Sequence, residues 1–216
     1  MKNKLILSLL IACGVLFSTN AQAQGDQGEQ VFTLDAGFSV TGGLIKAVFD
    51  DNPTFDSTGT LVPGGSSVSG GPAIVLGWDM GLSERWSIGA IVTTQGWSGD
   101  AANSFINSDG NWVDETVNFK LRRNNVSICP KIHYGNGDNV DLYSGLRVGY
   151  VFWNSSIESN DPAYNLLEDF ASGGRVNFGL TLFGGRFYVN DNLGLNFELN
   201  MGAPFLFGAG LNWKLT

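Results

Sequence analysis

Apolar residues alternate with small or polar ones in eight stretches of the chain, each about ten residues long. The clearest runs from Asp141 to Phe152. Leu142, Leu146, Val148, Tyr150 and Phe152 fall on one face, and Tyr143, Gly145, Arg147 and Gly149 on the other. A period of two sends successive side chains to opposite faces of a β-strand. The two faces differ in kind. One is continuous and rich in aromatic rings. The other is glycine and charge, a poor core for a water-soluble protein. The contrast predicts an inverted arrangement, with the apolar face against lipid and the charged face enclosed.

The eight strands can be placed from this pattern. The first covers residues 31–41, with Phe32, Leu34, Phe38 and Val40 outward. The second covers 73–82, showing Ile74, Leu76 and Trp78. The third starts at Trp86 with Ile88, Ala90 and Val92. In the fourth, Val117, Phe119 and Leu121 alternate first. Asn124-Asn125 breaks the parity, which predicts a bulge, and Val126, Ile128 and Ile132 follow. The fifth strand ends at Trp153. The sixth shows Val176, Phe178 and Leu182; the seventh Leu193, Leu195 and Phe197; the eighth Phe205, Phe207, Leu211 and Trp213.

The connections are unequal. Long segments are expected over 42–72, over 96–123 with a tip at Ser108-Asp109-Gly110-Asn111, and over 154–173, where 161–170 reads as a short capped helix. Tight turns are expected at 83–85, 135–139 and 190–192, and a short link at 202–204. Long and tight therefore alternate. Outer-membrane barrels have short periplasmic turns and long extracellular loops. An even strand count then puts both termini in the periplasm. A two-sheet soluble sandwich has no reason to gather its tight turns at one end. The expected fold is all-β: an eight-stranded antiparallel up-and-down transmembrane β-barrel over residues 24–216.

Residues 1–23 read as a signal peptide. Lys2 and Lys4 precede an apolar run from Leu5 to Phe17, and Ala21-Gln22-Ala23 is the cleavage site. A second reading takes Leu10-Ile11-Ala12-Cys13 as a lipobox with Cys13 lipidated, although the apolar run continues past it. Of the 12 Lys and Arg residues, Lys2 and Lys4 leave with the leader. That leaves 10 against 20 acidic residues, a net charge of −10, which argues against nucleic acid as a partner. Charged residues make up only 15% of the chain while 43% is hydrophobic, a balance that suits a wall where alternate residues meet lipid. Past residue 23 no apolar run approaches the ~18 residues of a membrane helix. Cys129 is the one mature cysteine, so no internal disulfide is expected.

The mature chain as a whole resembles small bacterial outer-membrane β-barrels of the kind that includes the OmpA transmembrane domain, OmpX and OmpW. The stretch from Ile128 to Tyr150, a strand, a tight turn and Leu-Tyr-Ser-Gly-Leu-Arg-Val-Gly-Tyr, resembles the outer membrane protein beta-barrel domain family common in Bacteroidetes. The resemblance implies outer-membrane lipid and lipopolysaccharide as surroundings, insertion by the barrel-assembly machinery, and a monomer. Such barrels often end on an aromatic residue; here Trp213 is followed by Lys214-Leu215-Thr216.

With the apolar face outward, five charged residues point into the lumen at similar heights: Asp35, Asp79, Lys131, Arg147 and Glu198. Isolated buried ions cost several kcal/mol, so these are expected to pair, led by Arg147 with Glu198 or Asp35. The competing reading leaves them as solvated pore walls. Trp78, Trp86, Tyr134, Tyr150, Trp153 and Trp213 are candidates for the interfacial aromatic girdles.

Enzyme chemistry is weakly signalled. His133 is the sole histidine, which excludes a multi-imidazole metal site. Some barrels of this size are lipid A enzymes, but a deacylase of that type places Ser two residues after its His, where Gly135 stands here. Cys129 and His133 lie at i and i+4 on one strand face, too far apart for a dyad, and no partner acid is evident. Both are read as lumen filler. No cofactor and no metal are expected. The expected role is non-enzymatic, structural or surface-interacting, with a lumen closed by ion pairs. The alternative is a narrow porin-like barrel for small or hydrophobic solutes, as OmpW-like resemblance would imply.

Overall fold

The computed structural model describes residues 27–41, 43–45, 54–55, 60–62, 66–134, 139–160, 173–202 and 204–215. Eight strands form the wall. These are β1 (Gln30–Phe38), β2 (Ala73–Ser83), β3 (Trp86–Ile106), β4 (Trp112–His133), β5 (Val140–Glu158), β6 (Gly173–Tyr188), β7 (Leu193–Gly202) and β8 (Phe207–Leu215). Each pairs antiparallel with its neighbours in sequence, and β1 pairs with β8 from Gln30↔Leu215 to Phe38↔Phe207. The result is a closed up-and-down barrel with no free sheet edge around the ring.

The two ends differ. At one end lie the start of β1, the end of β8 and the tight β2–β3, β4–β5 and β6–β7 connections. At that rim the Gly28 N–H donates to the Gly81 carbonyl, the Gly81 N–H donates to the Glu29 carbonyl, and Lys214 pairs with Glu29 at 2.8 Å. At the other end β3 and β4 run on as a long hairpin. A short strand, Ser66–Gly70, joins the outer edge of β3.

Burial alternates along the strands as the sequence pattern requires. On the outer face Phe32, Leu34, Leu76, Ile128, Val148, Phe178, Leu195 and Leu211 are all exposed. On the inner face Asp35, Asp79, Lys131, Arg147 and Glu198 are buried. In a soluble barrel these two lists would be exchanged.

Several expectations need correction. The first strand ends at Phe38 rather than at residue 41, and the segment 42–72 expected as a loop contains the strand Ser66–Gly70. The segment 96–123 is not an open loop: β3 and β4 pair without interruption from Trp86↔Ile132 to Ile106↔Trp112. Only Asn107 to Asn111 turn, with Gly110 at a φ of +79° that suits glycine. Nor is there a bulge at Asn124-Asn125, since the register passes straight through Thr94↔Asn124 and Thr93↔Asn125. Val117 and Phe119 instead turn to the inner side. Finally, Phe205 is buried in the lumen rather than lipid-facing, because it lies in the link before β8 begins. The short helix expected over 161–170 lies outside the described residues.

The irregularity that matters sits in β6. Opposite Leu199/Asn200 the pairing skips from Phe183 to Thr181, and opposite Tyr143/Gly145 from Gly184 to Thr181. One extra residue is accommodated there, so the inward set changes parity. Asn177, Gly179 and Thr181 face inward before it, and Gly184 and Arg186 after it.

Candidate functional site: the lumenal charge layer

The lower half of the lumen, nearer the tight turns, holds a continuous network of buried polar side chains. Asp79 on β2 accepts from Lys131 Nζ of β4 at 2.8 Å and from Arg186 Nη2 of β6. In a ring of eight, β2 and β6 stand opposite each other, so this ion pair crosses the full lumen. Arg186 also reaches Asp141 of β5 at 3.3 Å. Glu198 on β7 accepts from Arg147 Nη2, and Lys131 Nζ lies 3.9 Å from it. The Tyr143 hydroxyl sits 2.9 Å from Glu198 Oε1 and 3.0 Å from Asn196 Oδ1. The cations also use ring faces: Lys131 lies 4.5 Å and Arg186 4.8 Å from the Tyr143 centroid, and Arg147 4.7 Å from that of Phe205.

Three cations thus meet three carboxylates, and every one of the six is at least 90% buried. Charge-assisted hydrogen bonds of this kind are short and about twice as strong as neutral ones. They offset a desolvation cost of several kcal/mol per ion.

Of the five charged residues anticipated, four come together: Asp79, Lys131, Arg147 and Glu198. Asp35 does not join a cation. Its Oδ2 accepts from Asn196 Nδ2 at 2.8 Å, and its Oδ1 has no partner. Two further members were not anticipated. Arg186 is hidden by the β6 bulge, which places it on the outward parity when counted from Val176. Asp141 lies in register with inward Tyr143, so continuing the fifth strand's alternation by one step would have found it.

His133 has partners on both ring nitrogens. Nε2 lies 2.7 Å from Ser87 Oγ, and Nδ1 lies 2.7 Å from Asp141 Oδ1. The acid that sequence reading did not find is therefore Asp141. The arrangement has the outline of a nucleophile–base–acid chain. However, the space beside it measures about 20 Å³, enough for one water and not for an acyl substrate, and Arg186 already occupies Asp141. Cys129 packs in a small apolar cluster with Ala73, Val75, Ile91 and Phe205, above the charge layer.

The aromatic candidates divide. Trp86 and Trp213 are exposed on the outer face near the tight-turn end. Trp78 and Tyr134 lie half-buried at the same end, Trp78 Nε1 donating to Gln30 at 3.1 Å and the Tyr134 hydroxyl to the Tyr143 carbonyl at 3.1 Å. Tyr150 is exposed on the outer face of β5. Trp153 is a correction. It has the parity of Arg147 and Val151, and it stacks on Trp97 at 5.8 Å beside Arg123 on the inner side.

No family model matches the chain, and no curated protein matches it. Solved structures do. The outer membrane protein OprG from Pseudomonas aeruginosa superposes with a TM-score of 0.52 at 10% identity, covering 91% of this chain and 99% of that one. The N-terminal β-barrel domain of Pseudomonas aeruginosa OprF gives 0.48 at 9% identity, covering 89% of this chain and 100% of that one. The outer membrane protein W of E. coli gives 0.42 at 12%, covering 89% and 100%. At such identities the likeness is one of fold: this chain has the fold of the small outer-membrane β-barrels.

Proposed function

We propose that this chain is a non-enzymatic integral outer-membrane barrel with a structural or surface-interaction role and a lumen closed by ion pairs. One observation carries the reading: the Asp79–Arg186 pair spans the lumen between opposite strands, braced on either side by Lys131 and Asp141. Eight strands leave an interior only wide enough for side chains. An ion entering this layer would have to break paired charges that are buried from bulk solvent.

In this reading residues 1–23 direct export, both termini face the periplasm, and the barrel is inserted by the assembly machinery as a monomer among outer-membrane lipid and lipopolysaccharide. The hairpin β3–β4, with Asp100, Asp109 and Asp114, stands on the outer surface. Planar-bilayer recording tests the closure. The wild-type barrel is expected to show no steady channel; a large, persistent conductance would overturn the reading.

A second reading, a narrow path for small or hydrophobic solutes, draws on a cleft of about 610 Å³ at the loop-bearing end, lined by Phe38, Gln95, Trp97 and Phe207 among others. Liposome swelling with solutes of graded size and polarity separates the two. Swelling with apolar or small solutes favours passage, and none favours closure.

A further inference from the structure

Among the described residues, Arg123 differs from the other buried cations, Lys131, Arg147 and Arg186. It lies on β4 near the loop-bearing end and is 3% exposed. Lys131, Arg147 and Arg186 each bind at least one carboxylate; among the described residues none pairs with Arg123. Its guanidinium is held by neutral acceptors alone. Nη1 donates to Thr41 Oγ1 at 2.8 Å, and Nη2 donates to Gln95 Oε1 at 2.7 Å, to Ser39 Oγ at 3.1 Å and to the Pro204 carbonyl. Nε has no partner. The group packs against Trp97 and Trp153, 5.5 and 5.6 Å from their ring centroids.

A buried cation without a counter-ion is costly, and neutral acceptors and ring faces offset that cost only in part. What would complete the site is an anion. A path to it exists: Ser39, Gln95 and Trp97, three of the groups that touch the guanidinium, also line the cleft of about 610 Å³ at the mouth. An anion in that cleft reaches Arg123 by displacing the Gln95 amide or the Ser39 hydroxyl, exchanging a neutral acceptor for a charged one. The planar fork suits a carboxylate. Part of the remaining wall, Ala36, Phe38 and Phe207, belongs to the outer face of β1 and β8, so the cleft also opens sideways onto the apolar surface, which suits an apolar body rather than a sugar or a second charge.

We infer that the cleft above Arg123 is a binding site for a small organic carboxylate with an apolar or aromatic body. The inference is independent of whether the lumen below conducts.

The test uses the full mature barrel in a neutral detergent, with sodium benzoate as probe and benzyl alcohol as its uncharged counterpart. Trp97 and Trp153 touch the guanidinium, so indole NMR signals report occupancy. Benzoate is expected to shift them saturably and benzyl alcohol not to. Arg123→Gln is expected to weaken benzoate binding at least tenfold while the heat-dependent gel shift of a folded barrel persists. Gln95→Glu supplies a carboxylate from within the chain, and is expected to abolish benzoate binding even where R123Q does not fold. Equal responses to benzoate and benzyl alcohol, or benzoate binding unchanged in Gln95→Glu, would overturn the site.

Discussion

The lumenal glycines and the lumenal charges are one device. A Cβ at Gly89 would overlap Asp79 Oδ1, one at Gly210 would overlap Asp35, and one at Gly184 would enter the Tyr143 ring. Each absent side chain makes room for a large polar one from the adjacent strand, which is why a face of glycine and charge packs densely. Tyr143 is fully buried and tied to Asn196 and Glu198, so it cannot swing aside. Gly184→Ala is therefore expected to cost about 1–3 kcal/mol, seen as a lower urea midpoint for the barrel folded in lipid vesicles. Gly71→Ala, with open space around it, is the control and should leave the midpoint in place. The carboxylates also separate by role. Glu198→Ala leaves Arg147 without its carboxylate, and should cost about 3–5 kcal/mol in the same assay. Asp35→Asn removes a buried charge that has no cation partner, so stability is expected to hold or rise. A loss at Asp35 as large as that at Glu198 would contradict the pairing described. Four of the charge-layer residues were legible from alternation alone. Arg186 was not, because one inserted residue in β6 inverts the parity and leaves no sequence mark.

The β3–β4 hairpin crosses two solvents, and its pattern inverts where it does so. Below Asn124 the apolar set, Val126 and Ile128, faces outward. Above it Val117 and Phe119 face inward, while Lys120 points out and is largely exposed. The backbone register does not change. A chain leaving the lipid band returns to the ordinary rule of apolar inside, and on paper that inversion is indistinguishable from a bulge. The inversion marks the boundary of the apolar band on this strand. Beyond Ala101↔Val117 the backbone ladder, among the described residues, is formed only within the hairpin. A short Gly/Ser insertion between Ser108 and Asp109 should therefore leave the heat-dependent gel shift unchanged. A single residue inserted after Asn124 would flip every side chain beyond it, and folded yield should fall. Equal yields from the two insertions would rule out continuous pairing through 124.

At the scale of the whole molecule, the outer face behaves as a hydrophobic surface and the interior as a polar one. Leu34 sits mid-strand on β1 between Leu76 and Leu211, and is 52% exposed. In water an arginine there would be nearly free of cost; at the middle of a bilayer it costs roughly 2–4 kcal/mol. Leu34→Arg is expected to destabilise the vesicle-folded barrel by about that amount, and no loss would place the protein in another solvent. The sequence by itself determined that eight strands alternate, their two faces within the apolar band up to the β6 bulge, the end that carries the tight turns, and the inverted polarity. All of these follow from a two-residue period and turn chemistry, which are local. The tertiary structure decided which charges meet. Asp79 and Arg186 are 107 residues apart and join only because the ring closes with their strands opposite each other. Their common height depends on strand stagger and on the β6 bulge, neither of which is written in any one strand. The same holds for Arg123: with a bulge expected at Asn124-Asn125 the alternation put it on the outward parity, and both its inward position and the absence of a carboxylate within reach, among the described residues, depend on continuous pairing through 124 and on side chains contributed by the segment after β1, by β3 and by the β7–β8 link.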